Sequence, residues 1–199
     1  MRKMMAVLPL VFVLILMVGC AKPPQDAINA AMSAMDAAKP LASEYAAGSL
    51  QAAEDAKAAL DAELKAQQDK FALFRSYKKA DELVADLNAK SQKAASDAAA
   101  GREQAKSDAT TAISDATTAL TDAKALLEKA PKGKGTAADL EAMKADLTAA
   151  ESTISDANAA MSGEKYKDAK AKAEAAKSSA ANVVSQIQAA MEAKKAGKR

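Results

Sequence analysis

The stretch Leu140-Glu141-Ala142-Met143-Lys144-Ala145-Asp146-Leu147-Thr148-Ala149-Ala150-Glu151-Ser152-Thr153-Ile154 decides the fold. Its apolar residues Leu140, Met143, Leu147, Ala150 and Ile154 step by three and four in alternation, and the stripe continues through Ala157 and Met161. A half-buried strand would alternate every second residue. A period near 3.5 instead places these side chains along one side of a helix and is the pattern of left-handed supercoiled packing. Three further stretches keep the same spacing: Tyr77, Ala80, Val84, Leu87, Ser91, Ala94, Ala98; then Ala105, Ala109, Ala112, Ala116, Ala119, Ala123, Leu126, Ala130; and Tyr166, Ala169, Ala173, Ala176, Ala180, Val183, Ile187, Ala190.

Composition agrees with long helices. The chain has 55 alanines in 199 residues, and from residue 20 onward only 29 of 180 are Leu, Ile, Val, Met, Phe or Tyr. So low a fraction of large apolar residues approaches that of disordered chains, but the filler here is Ala, Lys, Glu and Gln, which cost least in a helix. Helices with Ala on their seams can approach to the short end of the usual spacing of about 8–10 Å, so contact along length replaces a thick core. The expected fold is therefore all-α: an elongated Ala-rich helical bundle, or antiparallel coiled-coil hairpins.

Proline and glycine mark the breaks. Pro131-Lys132-Gly133-Lys134-Gly135-Thr136 ends one helix, and Thr136 with Asp139 begins the next as a capping-box-like pair. Gly133-Lys134-Gly135-Thr136 lacks the Gly-Lys-Ser/Thr order and the preceding strand of a phosphate loop. Ser162-Gly163-Glu164-Lys165 is short enough to make its flanking helices antiparallel neighbours. Gly101 fits either a kink or a tight corner. Earlier, Ile28, Ala31, Met35 and Ala38 predict a short helix ending before Pro40. Ser49 is the expected N-cap of a second helix, with Leu50, Ala53, Leu60 and Leu64 on one face and Lys57 interrupting it. Phe71, Phe74 and Tyr77 hold three of the five aromatics beyond residue 20. They are expected to be core at the top of a hairpin, with an exposed partner-binding patch as the alternative.

The two halves echo each other. Ser49-Leu50-Gln51-Ala52-Ala53 matches Asp139-Leu140-Glu141-Ala142-Met143 at an offset of 90, and Ser76-Tyr77-Lys78-Lys79-Ala80 matches Lys165-Tyr166-Lys167-Asp168-Ala169 at 89. Two related helical-hairpin repeats are expected. The Gly163…Tyr166-x-x-Ala169 turn resembles the helix-joining turn of tetratricopeptide repeats, without that family's other landmarks or its period of about 34 residues.

The first 20 residues differ from the rest. Arg2 and Lys3 precede an apolar run from Met4 to Val18 that ends at Gly19-Cys20. This is the layout of a signal peptide, and it falls short of the roughly 20 apolar residues that a transmembrane helix needs. Met17-Val18-Gly19-Cys20 resembles the lipobox of bacterial lipoproteins, with Met17 where Leu is usual. The resemblance implies cleavage between Gly19 and Cys20, a covalent diacylglycerol thioether on Cys20, and an N-acyl chain on its new amine. Ala21 in place of Asp implies the outer rather than the inner membrane. With this leader, the helical body and its recurrent Tyr-x-x-Ala helix starts are similar to Ala-rich helical lipoproteins of Gram-negative bacteria, a likeness that brings no assigned activity.

The expected organisation is a cleaved signal peptide over 1–19, a lipidated tether over 20–25, a first helical region over 26–130, a linker over 131–136, and a second helical hairpin with a basic tail over 137–199. No His, one Cys and no Gly-rich nucleotide loop leave no catalytic constellation, and neither metal nor cofactor is expected beyond the lipid on Cys20. Acids such as Glu54, Asp55, Asp61 and Glu63 read as polar helix faces, with Asp61/Lys65 as an ordinary i,i+4 pair. The net charge of +2 belongs to the leader, since losing Arg2 and Lys3 leaves 26 bases against 26 acids. Nucleic acid is not an expected partner, since the chain is read as exported and carries no dense basic stripe beyond its last six residues. The tail residues Lys194, Lys195, Lys198 and Arg199 either meet anionic peptidoglycan, lipid or lipopolysaccharide, or cap a solvated helix end. The expected function is a lipid-anchored, non-enzymatic spacer, scaffold or adaptor on the periplasmic face, with envelope proteins or peptidoglycan as partners and self-association open. A carrier or chaperone of an apolar ligand or unfolded client is the alternative.

Overall fold

Residues that favour helix almost without interruption fold as helix almost without interruption. In a computed structural model, which describes residues 22–130 and 137–196, these form α1 (Gln25–Tyr45), α2 (Ala47–Gln68), a 3-10 turn (Ala72–Phe74), α3 (Lys78–Glu128), α4 (Ala137–Ser162) and α5 (Tyr166–Ala196). No strand occurs among the described residues, and the protein is an all-α helical bundle. The expected linker 131–136 lies outside the described residues.

The chain divides into two units between Ala100 and Gly101, inside α3 rather than at the compositional break over 131–136. Gly101 makes no corner, because helix runs unbroken through it. The first half of α3 therefore belongs to unit one and the second half to unit two, so each expected hairpin gains a third helix.

In unit one, Ile28, Ala31 and Met35 of α1 meet Ala53, Ala56 and Leu60 of α2, Tyr77 just before α3, and Ala80, Val84 and Leu87 of α3. Farther along, Ala42, Leu50, Ala94 and Ala98 form a second cluster. Burial of Ala42 explains why α1 does not stop before Pro40. The missing N–H removes one intrahelical bond, but five more residues of helix follow and return Ala42 to the seam. Helix α2 starts at Ala47, two residues before the expected cap. The corner is the single residue Ala46, whose N–H donates to the Ala42 carbonyl at 2.9 Å. Ser49 caps nothing; its hydroxyl donates to the Asp97 carboxylate on α3. Lys57 does not interrupt the stripe, since Ala56 takes the buried place and Lys57 pairs with Asp61 at 2.6 Å.

In unit two, Ala116, Leu120 and Ala123 of α3 pack with Met143, Leu147, Ala150, Ile154 and Ala157 of α4 and with Ala173, Ala176, Ala180, Val183 and Ile187 of α5. Among the described residues 19 of the 33 buried apolar residues are alanine, so the core is thin and its backbones close. Shifting the seam Tyr77 to Ala98 by 89 positions lands on Tyr166 to Ile187, and all fourteen residues are buried. The one polar member, Ser91, is satisfied by donating to the Leu87 carbonyl at 2.7 Å.

Candidate functional site

The lipobox residues Met17, Val18, Gly19 and Cys20 lie outside the described residues, as do Lys198 and Arg199. Lys194 and Lys195 stand exposed in the last turn of α5. Of the acids singled out in the sequence three are in ion pairs, Glu54 with Lys39 at 2.9 Å, Glu63 with Lys79 at 3.2 Å, and Asp61 with Lys57 rather than Lys65, while Asp55 accepts from Gln51 Nε2 at 3.0 Å. No group of three potential metal ligands occurs among the described residues, and no helix there is long and apolar enough to cross a membrane.

The feature that stands out chemically is the connection from α2 to α3. Phe71, Leu73 and Phe74 are 69%, 62% and 75% exposed, large apolar side chains left in water. The aromatic cluster is thus only partly core. Tyr77 alone enters the seam, at 7% exposure, while the two phenylalanines point out with ring centroids 6.3 Å apart. The reason is local. A 3-10 turn over Ala72–Phe74 reverses the chain, so side chains on it have no facing helix.

This knuckle is held in place by polar groups. Gln67, 5% exposed, donates from Nε2 to Glu63 Oε1 at 2.6 Å. Its Oε1 accepts from the Ser76 backbone N–H at 3.1 Å and from Lys70 Nζ at 3.2 Å. Arg75 folds back, donating from Nε to the Lys70 carbonyl at 3.0 Å and from Nη2 to the Gln68 carbonyl at 2.9 Å. It thereby satisfies carbonyls at and just beyond the C-terminus of α2, where a cation is also favoured by the helix dipole. The Gln67 and Lys79 hydrogen bonds hold the Glu63 carboxyl below its ordinary range.

In unit two the polar contacts set register. Arg102–Glu164 (2.8 Å), Asp108–Lys170 (2.9 Å) and Asp115–Lys177 (2.9 Å) all join α3 to a residue 62 positions later. Lys170 and Gln104 hold the Asp108 carboxyl low; Asp108 in turn raises Lys170, and Glu164 raises Arg102. The Arg102 guanidinium also lies 5.5 Å from the centre of the Tyr166 ring. Glu164 occupies the left-handed conformation (φ 59°), with the Lys165 N–H on the Ala160 carbonyl at 2.9 Å and its own N–H on the Met161 carbonyl at 3.1 Å. That is a Schellman stop with glutamate where glycine is usual.

One mainly apolar cleft of about 350 Å³ is lined by Ala130, Leu140, Met143, Ile187 and Ala190. Another, near 300 Å³, is the polar groove along Asp108, Asp115, Lys170 and Lys177. For Phe71 and Phe74 the structure favours the alternative of an exposed patch over the expected core. The available signal was the basic flank, Lys70 before and Arg75 after, which no buried turn tolerates easily. Comparison with protein-family models, curated proteins and solved structures finds no match to this chain.

Proposed function

We propose that the protein is a lipid-anchored, non-enzymatic helical protein of the bacterial cell envelope, acting as a periplasmic spacer, scaffold or protein-interaction adaptor. The observation that carries this reading is the chain's only cysteine at the end of an apolar leader. Helix begins at Gln25, after Lys22-Pro23-Pro24, so a tether of only a few residues separates the attachment point from the helical body. Two or three acyl chains would anchor it stably where one holds only marginally. The interior supports a scaffolding role: its seams are filled with alanine, and no buried side-chain polar atom among the described residues lacks a partner. Partners are envelope proteins or peptidoglycan rather than nucleic acid. Labelling cells with an alkynyl fatty acid tests the reading: the label marks the wild-type chain and is lost in Cys20→Ala. Equal labelling of both would overturn it.

A second reading, a carrier of an apolar ligand, has the cleft at Leu140, Met143 and Ile187 in its favour. It predicts an apolar molecule co-purifying non-covalently with the protein, absent when Met143→Lys fills the cleft with charge.

A further inference from the structure

Helices α1 and α2 have 21 and 22 residues and are joined through one residue, Ala46. Each is therefore about 32 Å long at 1.5 Å per residue, and α2 returns to the level at which α1 began. Ile28, in the first turn of α1, accordingly shares a cluster with Tyr77, the residue that follows the knuckle into α3. The exposed Phe71, Leu73 and Phe74 thus stand at the same end of unit one as Lys22–Gln25, the segment leading back to Cys20. Five residues from Cys20 to Gln25 reach at most about 18 Å.

The turn itself is basic. From Lys65 to Lys79 the chain carries Lys65, Lys70, Arg75, Lys78 and Lys79 against the single acid Asp69, with Lys79 paired to Glu63 of α2, whereas across residues 22–100 ten bases face twelve acids. Aromatic and aliphatic tips ringed by Lys and Arg have the composition of an interfacial membrane contact, in which apolar side chains enter the acyl boundary and cations meet anionic headgroups. The loop is also fixed beforehand through Gln67 and Arg75, which reduces the entropy lost on docking.

We infer that the knuckle Phe71–Phe74 is a second, non-covalent membrane anchor that inserts into an anionic phospholipid surface. This rests on the lipid-anchor reading for its geometry. The covalent lipid holds the chain at the bilayer, and the knuckle sets which end of the first unit faces it.

The chain has no tryptophan, so Phe74→Trp introduces a single reporter at an exposed position. Ala47→Trp, exposed at the opposite end of α1 and α2, is the control. Each variant, extracted from envelopes and with its Cys20 modification read by intact mass, is mixed with phosphatidylglycerol-containing vesicles whose acyl chains are brominated. Insertion gives position 74 a blue-shifted emission quenched roughly twofold or more, leaves position 47 unquenched, and weakens when phosphatidylcholine replaces phosphatidylglycerol. Equal quenching at both positions, or none at 74, overturns the proposal, and so does protection of position 74 by a crosslinked protein instead of lipid. An unmodified Cys20 removes the covalent anchor alone, since the comparison of positions 74 and 47 on added vesicles still decides the knuckle.

Discussion

Lys170 Nζ lies 2.9 Å from Asp108 Oδ2, and one heptad farther along both helices Lys177 meets Asp115 at the same distance. Residue numbers rise together in these pairs, so within unit two the second half of α3 and α5 run parallel, with α4 returning between them. Contacts of this kind, half in water, select register more than they stabilise.

The pH dependence follows from such pairs. Hydrogen bonds from Ser49 and Lys93 hold Asp97 low, as partners also do for Asp108 and Glu63, so the folded state binds fewer protons than the unfolded chain in acid. Their contribution is present above the ordinary carboxyl range, about pH 4, and is lost as pH falls through the depressed folded values. Lys39 and Lys170 are raised, so theirs is present below the ordinary lysine range and lost as pH climbs through the higher folded values. With no histidine, melting temperature should be flat from about pH 5 to 9 and fall on both sides. A step near pH 6.5 would contradict this.

Core substitutions should separate by size. Leu60 and Leu147 are essentially inaccessible, and truncation of either to Ala should cost about 2–5 kcal/mol in urea unfolding. Ala173 is equally buried where backbones approach, so Ala173→Leu should cost about 1–3 kcal/mol by overpacking. Indifference at Ala173 would mean that the seam is looser than described.

The turn between α4 and α5 inverts the usual expectation about glycine. Gly163 has no positive φ, and an added Cβ would meet only the Ala159 and Ala160 carbonyls at 3.5 and 3.6 Å. Gly163→Ala should therefore be nearly neutral. Glu164→Gly relieves a left-handed side-chain residue worth about 1 kcal/mol, while Glu164→Ala gives up the Arg102 contact and keeps the strain. Thermal melts should rank Gly above Ala at position 164.

Gln67 supports the knuckle. Gln67→Ala leaves the Ser76 N–H without its partner and should cost about 1–3 kcal/mol. Amide exchange should accelerate across 69–76 first, ahead of α1.

The heptad stripes were largely read from the sequence because alanine, leucine and isoleucine at 3.5-residue spacing have no other efficient burial; in the second half of α3, however, the structure buries Leu120, which the stripe through Ala119 left out. The stop at Pro40 and the cap at Ser49 were misread because local rules weigh one lost hydrogen bond or one gained cap, whereas burial of Ala42 and Leu50 outweighs both. Phe71 and Phe74 were expected first as core, with exposure only the alternative, for a different reason. Hydrophobicity says what a side chain would bury against but not whether a facing element exists, and a turn outside the seam supplies none. The proposed cleavage and lipidation signal at Cys20 rests on a linear motif alone, which helix packing neither requires nor reveals.

Mass spectrometry of the N-terminal peptide of the protein isolated from envelopes tests the central claim most directly. The account predicts a chain beginning at Cys20, with a diacylglyceryl thioether on its sulfur and an acyl group on its amine. A free thiol at Cys20, or Met1–Gly19 still attached, would contradict it.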